Sequence, residues 1–294
     1  MASHTSTTNN VQTSFLIISD THNFEAATAE EGCPLAQKMP RVDVLLHCGD
    51  LTQVGGLSAY KKALKLLASI DAELKLVIAG NHDLSLDGEY WATHLDEDDD
   101  PNEHDEAIEI MTGKLAKEAG VTYLMEGTHH FTLSNGAAFS LFASPLQPEC
   151  GEWAFGYPRS VDHFGSKVPE NVDIMMTHGP PAGILDLIPN KDEHVGCHSL
   201  LRAVERARPK MHCFGHMHEG YGHEVKAWAG KSESVAVGEV AISIRKAGVE
   251  HAAEETGVLE VGRETLMVNA AIMDNSNRAV NAPWVVELEL SRKA

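Results

Sequence analysis

Cysteine is scarce in this chain: five among 294 residues, Cys33, Cys48, Cys150, Cys197 and Cys213, with no CxxC pair. An odd number without paired spacing argues against a disulfide framework and against thiolate-bound zinc, and it fits a reducing compartment. Long apolar runs are also missing. None approaches the ~18 residues of a membrane span, and the opening MASHTSTTNNVQTS has neither the basic patch nor the apolar stretch of a secretory signal. The expectation is a cytoplasmic protein without a membrane partner, with a flexible tail over 1–13 and a single domain over 14–294. Basic residues are few as well: Lys and Arg total 23 against 43 Asp and Glu, a net charge of −20. Such a surface repels polyanions, so no long nucleic acid is expected as partner. A small anionic ligand would need the field reversed locally, and bound divalent cations do that most directly.

What the chain does contain is a series of short β-rich runs that end in chemically capable residues: FLIISDTH (15–22), VDVLLHCGD (42–50), LKLVIAGNHD (74–83), VDIMMTHGPP (172–181) and KMHCFGHMH (210–218). Continuous apolar runs of this length read as strands buried on both faces. Between them, Leu57, Tyr60, Leu64 and Leu67 fall at the three- and four-residue spacing of one helical face, and 104–120 and 198–209 also read as helices. The alternation predicts an α/β fold with helices covering the sheet. Four further strand-like segments, 129–135, 137–145, 264–273 and 283–290, predict a second sheet packed on the first. The acidic run 96–106 reads as a solvated loop leading into a helix.

In open α/β sheets, functional groups collect beyond the carboxyl ends of strands. Five such ends here supply Asp20, His22, Asp50, Asn81, His82, His178, His216 and His218. A single strand-end His or Asp is usually a structural residue, but this ordered set of oxygen and nitrogen donors without a thiolate suits Mn, Fe, Mg or Zn.

The order D-x-H, GD, GNHD, H-G-P, G-H-x-H resembles the calcineurin-like metallophosphoesterase superfamily. The resemblance runs from about residue 15 to 223. THGPPAGILD, ARPKMHCFGHMHEGYG and SPLQPECGEWAFGYPRS are similar to a narrower group, the metallophosphoesterase-domain-containing proteins. It implies a four-layer αββα sandwich of two mixed sheets flanked by helices, with two divalent metal ions at one edge, manganese placed first and iron, zinc or magnesium as alternatives. It also implies that Asp20, His22, Asp50 and His218 hold one metal and that Asp50, Asn81, His178 and His216 hold the other, with Asp50 bridging. His82 would approach the substrate without binding metal. A bridging hydroxide would attack phosphorus and His82 would stabilise or protonate the leaving oxygen.

The implied activity is hydrolysis of phosphodiesters, such as cyclic-nucleotide-like substrates, or of small phosphomonoesters. Two alternatives remain open: a metal-dependent hydrolase or lyase acting on a non-phosphate small molecule, and a nucleotide-binding scaffold with low turnover. Outside the motif, His47 and His212 read as buried structural histidines. GEWAFGYPR reads as a loop bordering the pocket, with Trp153 and Arg159 as its candidate substrate contacts. A strand carrying Asn269 follows the last histidine motif only after the stretch 227–257, which reads as an insertion forming a lid, an interface or a loose loop.

Overall fold

The computed structural model describes residues 10–95, 97, 99–230 and 238–293. Strands β1 (Asn10–Ile18), β2 (Val42–His47), β3 (Ala72–Val77) and β4 (Val121–Tyr123) are interleaved with helices α1 (Leu57–Ala68), α2 (Gly88–Thr93), α3 (Glu103–Thr112) and α4 (Lys114–Ala119). Next come β5 (Gly127–Thr132), β6 (Ala138–Ser144), the two-residue strands β7 (Gln147–Pro148) and β8 (Gly156–Tyr157), and β9 (Ile174–Thr177). A short pair, β10 (Leu187–Ile188) and β11 (Glu193–His194), leads to α5 (His198–Ala207) and β12 (Met211–Phe214). The remaining strands are β13 (Gly222–Ala227), β14 (Gly238–Lys246), β15 (Glu254–Val261), β16 (Glu264–Asn269) and β17 (Trp284–Ser291).

These strands form two large mixed sheets, ordered β15-β14-β17-β1-β2-β3-β4 and β13-β16-β12-β9-β6-β5. Period-two alternation sorts their side chains into layers. Phe15, Ile17, Val44 and Leu46 meet Leu141, Ile174, Met176 and Met211 between the sheets. Leu16, Ile18, Leu45 and Val77 face the other way and pack with Tyr60, Leu64 and Leu67 of α1. On the far side, Phe142, Met175 and Phe214 pack with Leu200, Ala203 and Val204 of α5. Two sheets flanked by helices make a four-layer αββα sandwich, as the resemblance implies.

Several expectations change. The strand-like segment at 283–290 does not join the second sheet: β17 lies in the first, antiparallel to β1 from Asn10↔Ser291 to Ile17↔Trp284. That pairing also makes residues 10–13 strand rather than tail, while 1–9 lie outside the described residues. The predicted helix over 104–120 is two helices meeting at Gly113, where a side chain would collide with Glu109. Within 227–257, Gly238–Lys246 and the start of β15 are neither lid nor loose loop. β14 and β15 pair antiparallel and extend the first sheet, with Val240, Ile244 and Leu259 buried between the sheets; 231–237 lie outside the described residues. In the acidic run, Glu103, Asp105 and Glu106 form the first turn of α3, where negative charge suits the helix dipole; Asp96 and Asp98 are not described. Among the described residues, no helix is long and apolar enough to cross a membrane.

Candidate metal centre

β1, β2 and β3 run parallel, as do β9 and β12, so their carboxyl ends emerge in register at one edge of the sandwich. The two sheets are stitched there: Asp20 accepts the His216 backbone N–H at 2.9 Å, and Ile272 N–H donates to the Ser19 carbonyl at 3.0 Å. Asp20, His22, Asn23, Asp50 and His216 all take left-handed backbone angles, with φ between 40° and 66°. Each costs on the order of 1–3 kcal/mol, a strain that surrounding structure must hold. The chain is so close at Gly215 that a Cβ would lie 2.0 Å from Ser19 Oγ and 2.1 Å from Asp20 Oδ2. β12 therefore stops at Phe214, and His216 and His218 are carried by a turn, not by a continued strand with both residues on one face.

The ring tautomers follow from the hydrogen bonds. A carbonyl only accepts, so a ring nitrogen facing one carries the proton. His22 Nδ1 donates to Thr52 O at 3.1 Å, His82 Nδ1 to Gln53 O at 2.7 Å, His178 Nδ1 to Cys48 O at 2.9 Å and His218 Nδ1 to Asp274 O at 3.1 Å. Four Nε2 lone pairs are thus left pointing away from the backbone. Those of His22 and His218 lie 3.4 Å apart, with the Asp20 and Asp50 carboxylates 3.5 and 3.7 Å from them. His178 Nε2 lies 2.8 Å from Asn81 Oδ1 and 3.4 Å from Asp50 Oδ1, and His216 Nδ1 lies 2.8 Å from the same Asn81 oxygen.

His216 Nδ1 can donate to Asn81 Oδ1, but the Nε2 lone pairs of His22, His178 and His218 converge on oxygen and nitrogen acceptors, an arrangement that a cation between them relieves. Around Asn81, burial pulls the His178 pKa below the usual range and that of His216 to about 3, whereas at the other cluster burial of His218 is outweighed by its hydrogen bond to Asp20, which raises its pKa. Burial beside Asp20 and Asp83 also pushes the Asp50 carboxyl well above the usual range, while Asp20 resists its own burial through the neighbouring histidines and is held well below it. Two ligand sets match the sequence reading, Asp20, His22 and His218, and Asp50, His178 and His216, each with donor atoms within 4.8 Å of one another; His22, Asp50 and His82 form a third group of the same kind. Asp50 offers one oxygen toward each set. The donor chemistry fits a pair of divalent cations.

A ring nitrogen of His82 falls within 4.8 Å of donors on His22 and Asp50, while the His82 ring packs on Trp153 with centroids 3.9 Å apart. The Trp153 loop is tied to the centre, since Ala154 N–H donates to Asn81 O at 3.2 Å. Its neighbours Phe155 and Tyr157 are core residues. Arg159 does not reach the cluster; its Nη1 donates to Val195 O and Gly196 O at 3.0 and 3.2 Å, beside a cavity lined by His216. His47 and His212 are fully buried structural residues bonded to Thr21 and Thr177.

The supporting residues are less visible in sequence. Asp83 accepts from Thr52 N at 2.9 Å, Thr52 Oγ1 at 2.8 Å, Gly80 N at 2.9 Å and Leu51 N at 3.2 Å, locking the Asp50 loop to the Asn81 loop. Asn269 Nδ2 donates to Met217 O at 2.8 Å, between the two turn histidines. Asp274, which holds His218, is itself gripped by Arg278 at 2.7 and 3.0 Å. An Asp and an Arg four residues apart were the only signal available for that turn.

A two-sheet sandwich with paired imidazole and carboxylate clusters at its strand ends makes a candidate metal centre. Residues 13–220 match the family model for calcineurin-like phosphoesterase, and the chain belongs to that family. It is 36% identical over 222 residues to metallophosphoesterase domain-containing protein 1 of Homo sapiens and of Mus musculus, covering 71% of this chain and 62% of theirs. It is 34% identical over 213 residues to the probable rhamnogalacturonate lyase C of Emericella nidulans, covering 72% of this chain and 18% of that one. The chain therefore spans less than two thirds of the length of these curated relatives.

Proposed function

We propose that this protein hydrolyses phosphate esters at a centre of two divalent cations, acting on phosphodiesters of the cyclic-nucleotide kind or on small phosphomonoesters. The observation that carries the reading is the pair of imidazole and carboxylate clusters on either side of Asp50, whose donor atoms converge within reach of one ion each. Asp20, His22, Asp50 and His218 are proposed to hold one cation and Asp50, Asn81, His178 and His216 the other, with manganese as first choice. Bound there, the cations supply Lewis-acid stabilisation of phosphoryl charge and acidify water. The carbonyl-anchored rings keep their Nε2 atoms aimed and unprotonated, and Asn81 contributes an oxygen without adding charge.

His82 is proposed as the group that meets the leaving oxygen. With Nδ1–H committed to Gln53, its Nε2 donates only as imidazolium. Burial disfavours that form, and the negative charge of a bound phosphate favours it. Trp153 fixes the ring from one face and, with Arg159, is proposed to border the substrate. The odd number of cysteines without paired spacing supports a reducing, cytoplasmic setting.

The test combines metal analysis with assays on bis(p-nitrophenyl) phosphate, p-nitrophenyl phosphate and cyclic nucleotides, with Mn, Mg, Fe or Zn added. We expect two equivalents of metal, and a loss of at least about 100-fold in activity in Asp50→Ala and His216→Ala with the fold retained. Native activity at native metal content in either variant would sink the assignment.

A further inference from the structure

The bond from Nδ1 to Gln53 O at 2.7 Å holds one point of the His82 ring but not its plane. The plane is set by what packs on it: Trp153, with centroids 3.9 Å apart and planes 32° apart, and His22, edge-on with centroids 4.7 Å apart. Trp153 in turn belongs to a loop that does not rest in an easy conformation. Phe155 is left-handed, with φ 56°, a state that persists in a bulky residue only where neighbours hold it. Those neighbours lie in the stretch GNHDLSLDGEY (80–90), which carries His82 and, a few residues on, Asp87 and Tyr90. One oxygen of Asp87 accepts the Glu89 and Tyr90 N–H groups that open α2, both at 3.1 Å, and the other accepts the Phe155 N–H at 2.6 Å. Tyr90 Oη–H donates to Glu152 O at 3.1 Å. The loop is thus gripped at Glu152 and at Phe155, on either side of Trp153, by the same segment that presents His82.

We infer that Asp87 and Tyr90 are positioning residues of the reaction: from α2 they set the Trp153 ring against His82 and, through it, the plane of the imidazole that meets the leaving oxygen. The inference rests on the phosphoester reading of the centre. Asp87 and Tyr90 stand outside the ligand sets, so loss of their bonds leaves the metals in place and acts on the aim of His82. A ring off its line lowers the rate of the chemical step and not the binding of substrate. The loss is larger where the departing oxygen is a poor leaving group, because such an oxygen depends more on the group that receives it.

Steady-state kinetics on the manganese-loaded protein test this with phenyl and p-nitrophenyl esters, as monoesters or as bis-aryl diesters according to which series the native protein turns over. The variants are Tyr90→Phe, which deletes one oxygen and keeps the ring, and Asp87→Asn, which cannot accept at both of its places. Each is expected to lower kcat on the phenyl ester by about 3- to 10-fold with KM within about 2-fold of native, and kcat on the p-nitrophenyl ester by a smaller factor. Metal content should stay at the native level. On a Trp153→Ala background neither substitution should lower kcat further, since the route through Trp153 is already cut. Native kcat on both esters in Tyr90→Phe overturns the role of Tyr90, and in Asp87→Asn that of Asp87. Equal losses on the two esters, or losses that recur in full on the Trp153→Ala background, mark a general structural effect and overturn the positioning of His82. If the native protein turns over neither ester, the phosphoester reading falls and the inference with it; Tyr90→Phe decides the matter even where Asp87→Asn does not fold.

Discussion

Three proposed ligand histidines, and His82 beside them, take their tautomer from four backbone carbonyls, of Thr52, Cys48 and Asp274 for the ligands and of Gln53 for His82. Sequence names the rings but not those partners, because every residue has a carbonyl and only the fold decides which one a ring meets. Asp83 is the opposite case: it is visible beside His82 in GNHD, yet its work is to accept four hydrogen bonds that hold two loops in left-handed and turn conformations. Replacing Asp83 with Ala strands the buried N–H groups of Leu51, Thr52 and Gly80, so we expect a loss of about 3 kcal/mol or more in urea unfolding, together with weakened metal retention. At Trp153, Ala substitution removes the face that steadies His82. The expected result is a fall in kcat of about 10-fold on both mono- and diester substrates, read from steady-state kinetics; unchanged constants would remove Trp153 from the site.

At the scale of elements, the five chemistry-bearing strand ends were legible because an apolar run followed by polar ligands is a pattern one short segment carries by itself. The turn at 215–220 was less legible. Its histidines resemble alternate residues of a strand, whereas Gly215 runs against Ser19 and Asp20 and His216 turns left-handed. Gly215→Ala should therefore displace the Asp20 carboxylate. Metal analysis is expected to show the loss of about one equivalent, from the Asp20, His22 and His218 set, at little cost to the other. The Asp274–Arg278 turn and Asn269 escaped sequence reading in different degrees: Asn269 stood out only as a residue in search of a role, and the turn contains no ligand type aimed at a metal.

Across the whole molecule, the two sheets and their helical covers followed from alternation and length, but the placement of β17 did not, since antiparallel return to β1 leaves no local mark. The buried histidines give the assembled fold a pH dependence. Burial brings His47 and His212 to about 3, while in the unfolded chain each titrates near 6.5. Between those values the unfolded state binds more protons, so stability is full above about pH 6.5 and falls as pH drops toward 3. The loss is roughly 2 kcal/mol for each group by pH 5, measurable as a lower urea midpoint with EDTA present at both pH values. The pairing of Asn10 with Ser291 carries a different consequence. β1, the strand that leads to Asp20, is flanked by β2 on one side and by a segment synthesised some 270 residues later on the other. Contacts of such separation make folding slow. At roughly 5–20 residues per second of synthesis, the nascent sheet waits tens of seconds with an open seam in its middle, and during that interval the growing chain is most exposed to mispairing and most in need of a chaperone's protection.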